Sequence, residues 1–130
     1  MLRTIAHSAI STHSFVNRTW VKVSMPATKV VTDVAYMKMG LPTFSDEGWK
    51  ALCRLVIDAS DDIHDAAHDV VDGERTIRGF GRFCVNRYAE YHESAVTALL
   101  EGMDLPGGVD NHEEGRRQAD SIRTAFGVTA

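Results

Sequence analysis

No acidic residue occurs in the first 32 positions of this 130-residue chain, and no basic one occurs between Leu55 and Glu74. Charge is therefore segregated into a basic arm and an acidic stretch. Cysteine is scarce: Cys53 and Cys84 form no Cys-x-x-Cys pair and are too few for a disulfide scaffold, which fits buried thiols in a reducing compartment. Long apolar runs are missing as well. The longest uncharged stretches fall far short of the ~18 apolar residues of a membrane-spanning helix. A Gly-rich phosphate loop is also lacking, since Gly73, Gly79 and Gly81 do not have the required spacing. The formal net charge of −4 has the wrong sign for a surface devoted to DNA phosphates, so any nucleic-acid contact must come from a local patch. What is present, 44% apolar and 25% charged residues, is the composition of one globular domain.

The local pattern divides the chain into elements. Residues 1–25 read as a basic N-terminal extension with Arg3, Arg18 and Lys22, and partial alternation over Trp20–Met25 suggests extended structure. Its acid-free composition also matches a mitochondrial presequence. Pro26 reads as a helix start and Gly40 as its stop, giving a helix over 26–39. Ser45 is placed to cap a long helix with the stripe Trp49, Leu52, Cys53, Val56, Ile57, Ile63, Ala67, Val70 and Val71, closed by Gly73. Arg75 to Tyr88 is Gly-punctuated, and Ile77, Phe83 and Val85 share one side at period two, which predicts a bent hairpin with Phe80 and Phe83 inward. Helices are expected over 89–101 and after Asn111, where Glu114 would complete a capping box and Ala119, Ile122 and Phe126 face inward.

Three constellations could carry chemistry. His64 and His68 stand four apart on one helix face, a spacing that can serve one zinc ion, with His92 and Glu93 as the only nearby suggestions for a third ligand. Asp65 follows the first His where a metalloprotease would need Glu, so two solvated histidines explain the pattern with no metal. The series Asp58, Asp61, Asp62, Asp65, Asp69 and Asp72 repels itself, which favours a cationic neighbour such as a basic arm. Arg75, Arg78, Arg82 and Arg87, beside Phe80 and Tyr88, form a basic cluster suited to phosphate.

One stretch carries a resemblance. Ala27-Thr28-Lys29, then Val34 to Leu41, a long helix, and Asp72-Gly73-Glu74-Arg75-Thr76-Ile77-Arg78-Gly79-Phe80-Gly81-Arg82-Phe83 resemble the HU and integration host factor family of histone-like proteins over about residues 27–88. The resemblance implies an α+β fold, with an HU-like helical pair plus a bent β-hairpin, to which this chain adds C-terminal helices and its N-terminal arm. On this reading residues 26–130 form a single HU-like domain. The family's basic arm with its Arg-Asn-Pro tip has no counterpart here, and its place is taken by the helical stretch 89–101 and an acidic loop.

The expected function is thus a non-enzymatic structural subunit of a larger multi-subunit complex, a homo-oligomer or a multi-protein assembly such as a phage virion neck or connector. No cofactor, metal or membrane is expected. The expected partner interface comprises Phe15, Trp20 and Val21 of the arm and Asp61, Asp65 and Asp69 of the acidic face. An alternative is an HU-like architectural DNA-binding protein using Arg75, Arg78, Arg82 and Arg87. A third reading is a zinc hydrolase on His64 and His68. The expected location is the cytoplasm or a virion, reached without a signal peptide.

Overall fold

The computed structural model describes residues 1–128 and is a bundle of four α-helices: α1 Leu2–Lys38, α2 Asp46–Val71, α3 Ile77–Leu99 and α4 Asn111–Ala125, with a 3-10 turn at Pro106–Gly108. No strand occurs among the described residues. The α+β expectation is therefore corrected to an all-helical fold, and with it the HU-like pairing of helices and hairpin.

The hairpin expected over 75–88 is part of α3, which runs unbroken through Gly79 and Gly81. Neither glycine has a positive φ, so neither makes a bend. Thr76 starts the helix by accepting from the Gly79 amide at 2.9 Å. Period two misled because it was read over too few residues. Along the whole segment Phe80, Cys84, Arg87, Tyr91, Ala95 and Leu99 follow each other at helical spacing, and all are at least half-buried.

α1 also overturns an expected boundary. It begins at Leu2 and passes through Ser24 and Pro26 without interruption, so residues 2–25 are helical rather than extended. Pro26 removes the amide that would bond the Lys22 carbonyl and crowds it, and contacts with α2 on both sides of the proline hold the helix through this point.

α2 follows the sequence reading closely. The Ser45 hydroxyl accepts from the Gly48 amide at 3.0 Å, and Trp49 and Leu52 are buried. It ends where Gly73 takes φ 77°, which lets the Glu74 amide reach the Asp69 carbonyl at 2.8 Å and close the last turn. α4 starts one residue earlier than expected: Asp110, not Asn111, is the cap, accepting from the Glu113 amide at 2.7 Å.

Each helix packs antiparallel on its neighbour in sequence: α1 on α2, α2 on α3, α3 on α4. The aromatic core lies at one end, where Phe44, Trp49 and Leu52 meet Met25, Tyr36, Tyr91 and Leu99. A second contact joins α3 to α4 through small residues, with Ala89 and Ala119 fully buried and Gly115 lying against the Glu93 backbone. Small side chains permit this close approach of two helix axes. The backbones of α1 and α3 do not approach each other, and an open groove of about 420 Å³ floored by α2 lies between them, while their side chains converge on the Phe44, Trp49 and Leu52 core.

Candidate interaction surface

Two faces of α1 define the candidate site. The face turned toward α2 is mostly polar, with Val21 its one buried residue. His7 Nδ1 lies 2.6 Å from His68 Nδ1, and His7 Nε2 lies 2.7 Å from Asp72 Oδ1. His13 Nδ1 lies 2.7 Å from His64 Nε2, while His64 Nδ1 meets the Ser60 carbonyl at 2.6 Å. Asn17 donates to Ser60 Oγ at 2.6 Å, and Arg18 pairs with Asp61. Lys29 is held by Asp33 at 2.6 Å and Asp46 at 3.7 Å, and the Asp33 bond raises the ammonium pKa above its ordinary value. The seam is thus a ladder of hydrogen bonds and ion pairs closed at its lower end by Trp49.

The opposite face is apolar and open. Leu2, Ile5, Ala9, Val16, Trp20, Val23, Ala27, Val30, Val34 and Met37 follow one another at intervals of three, four or seven, all exposed. At 3.6 residues per turn these positions share one side, and they extend over about 50 Å. Trp20, Val23 and Val30 are each 68% exposed. Val31 widens the stripe, and no charged residue interrupts it between Leu2 and Met37. α1 therefore turns its more hydrophobic side away from its own bundle.

The residues expected at a partner interface are distributed over both faces. Trp20 lies on the open side, Phe15 is exposed on the flank beside His64 and His68 of α2, and Val21 is 7% exposed against α2. Asp61 is engaged by Arg18 of the same chain and Asp69 by Arg75 at 3.7 Å, leaving Asp65 exposed. The acidic run also holds α3, since Asp62 meets Arg87 at 3.0 Å. A cationic neighbour for the aspartates is thus supplied within the chain.

His64 and His68 share a face as their spacing implies, yet each is bonded to a different α1 histidine. His92 bonds Gln118 at 2.8 Å on the far side of the bundle, and no group of three metal-ligating side chains occurs among the described residues.

The arginine cluster is dispersed along α3. Arg75 stacks over Phe83 at 4.8 Å, and Arg87 also pairs with Glu90 at 2.6 Å. Arg78 and Arg82, one turn apart and exposed, have no acidic partner among the described residues. Burial pushes the Cys53 and Cys84 thiols above their ordinary pKa.

Reasoning from the sequence missed the apolar stripe, because the first 25 residues were not read as helix. Its alternation of three and four from Val16 to Met37 was the available signal. Comparison of the chain with protein-family models, curated proteins and solved structures gives no match.

Proposed function

We propose that this protein is a non-enzymatic assembly subunit that joins a protein complex through the outer face of α1. The inverted amphipathicity of that helix carries the reading: the side bearing Trp20, Val23, Val30, Val34 and Met37 faces outward, and the polar side faces α2. An exposed, charge-free apolar stripe of this length is the signature of a surface that another protein covers. The accessible area points the same way. It is 8632 Å², against about 6,800 Å² expected for a folded monomer of this mass from the surface scaling law.

DNA binding is the weaker alternative, because two of the four arginines expected to carry it, Arg75 and Arg87, are engaged by acids, leaving Arg78 and Arg82 of that cluster outward on a chain of net charge −4. The zinc reading loses its support once His64 and His68 answer to separate partners on α1.

A photo-crosslinking residue in place of Val23, introduced into the protein in its native cells, tests the proposal. A discrete protein adduct at position 23, with none from the same residue placed at exposed Glu101, is the expected result. No protein adduct at position 23, or an adduct to nucleic acid instead, overturns it.

A further inference from the structure

We infer that the occupant of the α1 face is a second copy of this chain, with the two α1 helices antiparallel and crossing near Ala27. The inference rests on the assembly reading above and names its partner.

The stripe has the spacing of a coiled-coil seam. From Val16 the intervals to Trp20, Val23, Ala27, Val30, Val34 and Met37 are four, three, four, three, four and three. Such a seam is filled by another helix of similar length with the same spacing, and a second α1 supplies one. Ala27, the smallest side chain in this stretch, stands at its middle, with three apolar positions on either side. A two-fold axis through Ala27 therefore pairs Trp20 of one copy with Val34 of the other, and sets Val23 level with Val30 to within one residue. The largest side chain then meets a medium one in every layer it enters, and the closest backbone approach falls on alanine.

Side-chain size selects the direction. Antiparallel pairing sets each Trp20 against the smaller Val34, whereas parallel pairing stacks Trp20 on Trp20. The area is sufficient. A stable interface takes about 800 Å² from each partner, less than half of the excess of about 1,800 Å² over the monomer scaling. α2 does not obstruct the approach, because it occupies the opposite side of α1.

Light scattering on the eluting full-length chain tests the inference. Twice the single-chain mass of 14.3 kDa is expected for the parent protein, and one chain for the double variant Trp20→Glu, Val30→Glu, with the same helical circular dichroism because both positions are exposed. Ile77→Glu, exposed elsewhere, stays dimeric. Direction is read by mixing two chains that lack Cys53 and Cys84, one carrying Trp20→Cys and the other Val34→Cys. Disulfide formation between the unlike chains is expected. Cross-linking of Trp20→Cys to itself overturns the antiparallel arrangement. A parent chain that is monomeric at every concentration, or a double variant that remains dimeric, overturns the second-copy inference. If the parent is monomeric while the probe at position 23 captures a protein of another mass, the assembly reading survives and only the identity of the partner fails.

Discussion

The indole Nε1 of Trp49 donates to the main-chain carbonyl of Met25 at 2.9 Å, one residue before Pro26. This bond fixes α1 on α2 just where proline weakens the helix's own bonding. Trp49→Phe keeps most of the apolar contact with Phe44 and loses the donor. It is expected to lower stability by about 1–2 kcal/mol, the usual cost of one partly buried hydrogen bond with some lost volume. Urea unfolding followed by circular dichroism measures it, and an unchanged midpoint would show that the bond contributes nothing.

Two glycines in helices should respond in opposite directions. A Cβ at Gly115 would stand 2.5 Å from Thr97 Oγ1 and 2.9 Å from the Glu93 carbonyl, and the latter is backbone that cannot swing aside. Gly115→Val is therefore expected to destabilise the α3–α4 pair by about 1–3 kcal/mol. A Cβ at Gly81 meets nothing within 4 Å. There Gly→Ala should stabilise by about 0.5–1 kcal/mol through helix propensity alone. Thermal melts of both variants give the two signs, and the same sign for both contradicts the packing described.

The caps form a second pair. Ser45→Ala and Thr76→Ala each remove the acceptor for a helix amide, at Gly48 and Gly79. Each should cost about 1 kcal/mol. A loss at Thr76 also tests whether α3 begins there, since a hairpin over 75–88 would not depend on that hydroxyl as a cap.

Acid should act on α4. Arg117, bonded at 2.9 Å to one Glu114 oxygen and closer still to the other, holds that carboxyl down at about 2, with Gln118 assisting. A carboxyl depressed in the folded state contributes stability above its unfolded value, and that contribution fades as the pH falls from about 4.5 toward 2. Glu114→Gln should therefore melt below the parent at pH 7 and converge with it near pH 2. A gap that stays constant across that range would contradict the assignment.

How much of this was legible in the sequence varies by helix. α2 was readable because its signals agree: Ser45 at the cap, Trp49 and Leu52 at helical spacing, and Gly73 at the stop. α1 was only half readable. Ser, Thr, Val and His carry little intrinsic helix preference, and Pro26 is a stronger local mark than the weak periodicity on either side of it. What sustains this half is contact with α2 through His7, His13, Asn17 and Arg18, which no local window contains. In α3 the two glycines outweighed the longer pattern from Phe80 to Leu99 and produced a hairpin. The acidic face was legible as needing cations, but not that Arg18, Arg75 and Arg87 of the same chain would supply them. The interaction surface stayed hidden because amphipathicity names an apolar side without saying which way the fold will turn it.

The serial order of the helices bears on how the chain comes to be folded. The backbone of every helix approaches only that of the one made just before or just after it, so each pairing closes a short connection, the circumstance in which folding is fast. During synthesis the hydrogen-bond ladder between α1 and α2 can form once α2 has left the ribosome, and Tyr91 and Leu99 of α3 complete the core afterwards. Newborn chains would thus expose the seam of Trp20 and Val30 while α3 and α4 are still being made, and neighbouring chains on one messenger could meet through it before either is complete.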